Sequence, residues 1–369
     1  MLGKGHAVMQ KLFSTLYGSR LFGTQTPSSD LDIKHIVLPP LDDLLLGRRI
    51  ENKVKNTNTA RNTRNTAEDV DEEFIPIQVF ARHFVEGQTY AIELAFSIEG
   101  THADQTFWCC PKPYTGEQPE YVFDRKHHAF YTFVRELREK FLTSNIKAMM
   151  GYVVNQASLY SFKGERLNAT RDLKDLFLNA LDHLDSTDST KEFATDYAVK
   201  IKALGAKYPK YFRVDEYDIG GGRMMPCFMI LEKTLPFTND IRQSLKVIEA
   251  LENKYGARAN QASESNVDWK ATMHALRIVN EGLNLLHQHK IVFPFSSDYA
   301  QHLLSIKRGE LPLDPIKEEL AMKLDMLKDL EKTCTLPACD AAFLKTFDAW
   351  MVGWLRKFYG LSSVQSLYF

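Results

Sequence analysis

The sequence has no apolar run approaching the roughly 20 residues needed to cross a bilayer, so no membrane-spanning helix is expected in its 369 residues. It has no excess of charge of either sign: 46 Lys and Arg stand against 47 Asp and Glu. That balance argues against a surface broadly coated in nucleic acid, though it leaves room for a local basic groove. Cysteine is scarce. The five present, Cys109, Cys110, Cys227, Cys334 and Cys339, are odd in number and irregularly spaced. They suggest neither a disulfide framework nor a paired zinc set. Reduced thiols in a cytoplasmic compartment are the expectation. The first twenty residues lack the continuous apolar core and small-residue cleavage site of a secretory signal, and no internal repeat is visible. What is there, 44% hydrophobic and 25% charged residues, is the make-up of a globular chain rather than a disordered one. Its length allows two domains at roughly 100–200 residues each.

Residues 4–13 read as a short helix, and LFSTLYG (12–18) as a strand ending in a glycine turn. DLDIKHIVLP, from Asp30, reads as a second strand stopped by Pro39 and Pro40, and LDDLLLG as a helical turn or two. The stretch 52–66 is nearly all Asn, Thr, Lys and Arg, and it is expected to be an exposed loop. DEEFIPIQVF (71–80) reads as a strand, followed by helix with a turn at Gly87. Segment 101–124, with three prolines, is the expected domain boundary.

From Lys126 the pattern turns helical. Phe130, Phe133, Val134, Leu137 and Phe141 fall on one stripe, and Ile146, Met149, Met150, Val153, Val154 and Ala157 on the next, with Ser144 as its N-cap. RDLKDLFLNALDHL is a third amphipathic segment. A hairpin turning at Gly220–Gly222 interrupts the helices, which resume at 238–256, 267–290, 315–333 and 340–358. The expected fold class is α+β: a small mixed α/β domain over residues 1–124, then a mainly helical domain with a β insert over 125–369.

Chemistry concentrates in YGSRLFGTQTPSSDLDIKHIV, residues 17–37. Gly18 lets a backbone approach phosphate closely, N–H groups at a helix start favour an anion, and Ser19 adds a hydroxyl donor. Asp30 and Asp32 are spaced i, i+2 on an expected strand, so both carboxylates share one face. Two carboxylates beside phosphates suit Mg²⁺, and a pair of such ions can stabilise both the attacking and the leaving oxygen of an in-line displacement.

GSRLFGTQTPSSDLD resembles the signature of the DNA polymerase β superfamily of nucleotidyltransferases, and in particular the bacterial and phage predicted nucleotidyltransferases linked to RNA repair. That resemblance implies a polymerase β-like N-terminal fold. It implies a metal-dependent enzyme that moves an NMP from an NTP to an acceptor hydroxyl and releases pyrophosphate. The cofactor would be Mg²⁺ or Mn²⁺, with two ions. Asp30 and Asp32 would be metal ligands. Gly18 and Ser19, with Arg20 and Ser29 in the same motif, would hold the nucleotide. A third carboxylate should come from DVDEEFIPI. The family's spacing points to Asp71, while strand alternation puts Glu73 on the same side and leaves it as the fallback. Acceptors in the superfamily include RNA or tRNA ends, small molecules and proteins. A nucleotide- or RNA-binding module without catalysis is the alternative reading, and no membrane partner is implied.

The resemblance extends more weakly through YVVNQASLYSFKGERLNATRD, VDWKATMHALRIVNEGLNLLHQHKIVFPF and LLSIKRGEL, with His289 near a place where glycine is usual. Lys163 and Arg166 flank a glycine after a helix. They either neutralise triphosphate charge or are solvated cations of a turn. Lys270, His274, Arg277 and Glu281 share one helix face, so His274 and Arg277 either contact the nucleotide or belong to a solvated polar stripe. Gln156, His127 and His128 read as ordinary surface or structural residues. The glycines at 220–222 lack the following Lys-Ser/Thr of a P-loop.

Overall fold

The computed structural model describes residues 10–48, 50–57, 66–98, 125–151, 153, 165–188, 190–209, 211–218, 223–230, 233–252 and 267–361. They form a mixed α+β structure that is mainly helical, with two small sheets. The residues divide into two compact units, one drawn from residues before 154 and after 274, the other from residues 154–274.

The sheet of the first unit has strands β1 (Gln10–Leu16), β2 (Leu31–Leu38), β3 (Lys53–Asn56) and β4 (Val70–Pro76), in the order β1-β2-β4-β3. β1 runs antiparallel to β2, β2 parallel to β4, and β3 antiparallel to β4. The second half of β2, Ile36 to Leu38, is buried on both faces, as a central strand with a parallel neighbour requires. Between the strands lie α1 (Ser19–Phe22) and α2 (Leu41–Leu45). β4 runs straight into α3 (Ile77–Val85), which Gly87 separates from α4 (Thr89–Ser97).

The long helix α5 (Arg125–Phe141) packs on this sheet. Its expected stripe, Phe130, Phe133, Val134, Leu137 and Phe141, is buried throughout. Phe130 stacks on Phe13 of β1 at 5.3 Å and meets Phe80 of α3 at 6.4 Å. A single cut at residue 124 would therefore divide one aromatic core. In sequence order the second unit comes next, and its elements are α6 (Glu165–Ala180), α7 (Lys191–Lys207) and the antiparallel strands β5 (Phe212–Asp218), β6 (Met224–Ile230) and β7 (Lys233–Pro236). Leu173, Phe177, Tyr197, Phe228 and Phe237 form its core, together with a helix at 241–252. Helix α8 (Trp269–Gln288) belongs to the second unit through His274 and to the first from Ala275. The chain ends its described part in α9 (Ser297–Arg308), α10 (Leu313–Thr333) and α11 (Ala341–Phe358) of the first unit. Trp350 of α11 stacks on Phe133 at 5.1 Å.

Several expectations are corrected. Residues 10–13 are strand, because Leu12 and Phe13 are drawn into the sheet core; residues 4–9 lie outside the described part. The strand expected over 71–80 stops at Pro76. Proline has no N–H to extend the ladder and suits the start of a helix, so Ile77 to Phe80 begin α3. Residues 53–56 of the expected loop form an exposed edge strand paired with β4. Ser144 spends its hydroxyl on the carbonyl of Pro337 at 3.3 Å rather than capping the next helix. The expected boundary at 101–124, the turn glycines Gly220–Gly222, Cys109 and Cys110 fall outside the described residues. Cys227, Cys334 and Cys339 are free thiols, and no helix among the described residues is long and apolar enough to cross a membrane. His289 has φ 53 just past α8, a left-handed conformation that glycine adopts at no steric cost, which accounts for a glycine preference at such a place.

Candidate metal centre

The sheet places three carboxylates together by register alone. Asp32 is the second residue of β2, and the parallel β2–β4 ladder sets it directly opposite Asp71. Asp30 lies two residues before Asp32, just ahead of the strand. Each of the three offers a carboxylate oxygen, and these oxygens all lie within 4.8 Å of one another, half-buried. Carboxylates this close repel one another unless a cation or a proton sits among them. An all-oxygen, acidic donor set is the chemistry that a hard divalent cation such as Mg²⁺ selects. The donor set therefore fits such an ion.

The turn before Asp32 is shaped around it. The Tyr17 amide donates to the Asp32 carbonyl at 2.9 Å. Gly18 then adopts φ 59, ψ −135, a conformation open almost only to glycine. A β-carbon there would sit 2.1 Å from Oδ2 of Asp32. α1 follows at once, held by the Phe22 amide on the Gly18 carbonyl (3.2 Å) and the Thr24 amide on the Ser19 carbonyl (2.8 Å). Ser19 is half-buried and Arg20 exposed. Ser29 is buried: its hydroxyl accepts the Thr26 amide at 2.9 Å and closes the turn that leads to Asp30.

Strand β4 distinguishes its three consecutive acidic residues. Asp71 joins the cluster. Glu73, one pleat further along the same face, pairs with Lys34 and accepts from Asn52 Nδ2 at 2.9 Å, so both its oxygens are engaged. The Lys34 ammonium also lies 4.5 Å from the centre of the Tyr17 ring and 5.3 Å from that of Tyr90. Glu72 faces the other side, where its Oε1 is 2.9 Å from Nε2 of His35. The His35 Nδ1 is in turn 2.7 Å from the Ser14 hydroxyl.

His35 is almost wholly buried. Burial first, then the nearby Lys11 charge, pushes its pKa down to about 4 against the opposing contact with Glu72. Its folded pKa thus lies below the unfolded value near 6.5. The stability this neutral imidazole contributes is fully present above pH 6.5 and is lost as the pH falls from there to about 4. The His35 ring protons should titrate near pH 4 by NMR. His35→Gln should flatten the acid limb of the stability curve over that window, whereas a titration midpoint near 6.5 would show that the imidazole is solvated.

Of the remaining predicted residues, Arg277 is the most fully described. Arg277 and Glu281 are buried, at 5% and 0% exposure, and not on a solvated stripe. Nη1 of Arg277 donates to Glu93 Oε1 at 2.5 Å and to Glu281 Oε1 at 2.7 Å. Two internal carboxylates thus share one nitrogen of that guanidinium. Lys270 is exposed, and His274 half-buried, on the part of α8 that belongs to the second unit. Lys163 and Gln156 lie outside the described residues, and Arg166 is described only as part of α6. Glu93 was not anticipated. Its signal was a lone acidic residue in the apolar run YAIELAF; every residue from Ala91 to Ser97 is buried.

No protein-family model matches the sequence, and no solved structure matches the chain. The chain is similar to an uncharacterized 38.9 kDa protein from the nrdC–mobD intergenic region of Enterobacteria phage T4. The two are 28% identical over 342 residues, which cover 87% of this chain and 89% of that one.

Proposed function

We propose that this protein is a metal-dependent nucleotidyltransferase with a polymerase β-like catalytic part within residues 1–124. The observation that carries the reading is the convergence of Asp30, Asp32 and Asp71 within 4.8 Å, beside a turn that only glycine can make. Asp30, Asp32 and Asp71 would hold one or two Mg²⁺ or Mn²⁺ ions, which when bound supply Lewis-acid stabilisation of charge on the phosphate oxygens. Gly18 and Ser19 cradle the triphosphate of an NTP. Asp71 orients the acceptor hydroxyl and helps take its proton. The acceptor oxygen attacks the α-phosphorus, the bond to the β-phosphate bridging oxygen breaks, and pyrophosphate leaves. The acceptor class favoured by the sequence resemblance is an RNA or tRNA end.

Incubation of the protein with Mg²⁺, each α-labelled NTP in turn, total RNA and a cell extract tests this directly. Label should become covalently attached to an acceptor in an EDTA-sensitive manner. Asp71→Asn should eliminate the transfer, while Glu73→Gln, which alters a residue already paired with Lys34, should retain most of it. Absence of covalent label under all these conditions, with nucleotide still bound, would favour a non-catalytic binding module instead.

A further inference from the structure

The most deeply buried charged cluster among the described residues is not the aspartate site but the group behind its turn. Arg277, Glu93 and Glu281 are at most 5% exposed. Glu93 accepts twice: Oε1 from Arg277 Nη1 at 2.5 Å, and Oε2 from the Tyr17 hydroxyl. Glu281, one helical turn beyond Arg277, accepts from the same Nη1 at 2.7 Å. The Arg277 guanidinium also lies 3.9 Å from the centre of the Phe22 ring, within cation–π range. Tyr17 is the residue before Gly18 and Phe22 is the last residue of α1, so this one guanidinium reaches both flanks of the Gly18–Ser19 turn. It reaches one through Glu93 and the Tyr17 hydroxyl, the other through the aromatic face.

Charge bookkeeping completes the picture. One guanidinium, always charged, is buried with two carboxyl groups and a phenol. Isolated buried charge is strongly disfavoured, so neutrality leaves one carboxyl protonated. Glu93 receives two donors and Glu281 one. Burial above all, offset by Arg277 and reinforced by Glu93, raises the Glu281 carboxyl well above the usual range.

We propose that Glu93 and Arg277 are positioning residues that fix the Gly18–Ser19 turn through Tyr17 and Phe22. That the turn serves a metal–nucleotide site rests on the function proposed above; that the cluster holds the turn does not. The test is amide hydrogen exchange, read by NMR or at peptide resolution, on the full chain without ligand. The amides of Tyr17, Phe22 and Thr24, each hydrogen-bonded in the turn, are the reporters, and the amides of α5 are the control. Tyr17→Phe, which removes one hydroxyl and leaves the buried ion pair, should speed exchange of the three reporters at least about tenfold while α5 is unchanged. Glu281→Gln, a neutral mimic, should leave the reporters within about threefold of wild type. Glu93→Gln should either unfold the protein or speed the reporters more than Tyr17→Phe does. Reporters unaffected by Tyr17→Phe, or a Glu281→Gln protein as perturbed as Glu93→Gln, would overturn the proposal. A wild-type protein that shows the expected exchange pattern yet binds no Mn²⁺ would instead sink the functional reading and leave this one standing.

Discussion

Changing Asp32 to asparagine is expected to lower NTP-dependent transfer by more than about a hundredfold, because loss of an outer-shell partner of a metal ligand alone typically costs 10–100-fold. The fold should survive. The substitution keeps the size of the side chain, and Asp32 is half-buried in an acidic cluster. Removing one of three mutually repelling carboxylates should leave the melting temperature of the metal-free protein unchanged or raise it. Transfer rate, measured beside a thermal melt, therefore separates the two roles a carboxylate can have. Loss of rate with a retained or raised melt marks a ligand. A lowered melt with full activity would mark Asp32 as a structural residue and remove the centre of the site.

Gly18→Ala should be nearly as damaging, and by a different route. The added methyl meets Oδ2 of Asp32 at 2.1 Å, a separation no packed pair of atoms tolerates. The flexible partner is the carboxylate itself, so the clash is relieved by turning Asp32 out of the cluster. The backbone at φ 59, ψ −135 adds strain of about 1–3 kcal/mol for any residue with a β-carbon. The expected result is a folded protein, modestly less stable, with transfer and divalent-cation affinity reduced by at least about tenfold. An alanine variant with wild-type affinity would mean that the turn and the carboxylates are independent of one another.

Much of the site was legible from spacing. A glycine closing one strand and an i, i+2 aspartate pair at the next strand put both carboxylates on one face once the strand assignment holds. β2 begins at Leu31, so Asp30 lies just ahead of the strand, and its carboxylate still meets that of Asp32. Strand alternation alone does not separate Asp71 from Glu73, since both point the same way, and in the sequence only the spacing of the resembled family favours Asp71. What separates them is the parallel register with β2, which pairs Asp71 with Asp32 and Glu73 with Lys34. Register between strands far apart in sequence is set by the whole sheet and is not written in either strand.

The same kind of non-local packing explains why Arg277 is buried rather than part of a solvated stripe. Within α8 its spacing with Lys270, His274 and Glu281 has the form of a solvated polar face. Only the approach of α4, with Glu93 at its centre, turns that face inward. Likewise the aromatic stripe of α5 was correctly read as an apolar face, but the local periodicity could not show that Phe13 and Phe80 were its partners. Residues 53–56 carry no apolar alternation and became a strand because β4 offered them a free edge.

The most direct test of the central claim is a titration of Mn²⁺ into the purified protein followed by electron paramagnetic resonance, in which only the free ion gives the strong six-line signal. If Asp30, Asp32 and Asp71 grip divalent cations, the wild-type chain should suppress that signal, with an NTP analogue deepening the suppression, and the Asp32→Asn chain should restore it. Identical free-ion signals with the two proteins, with and without nucleotide, would contradict the account.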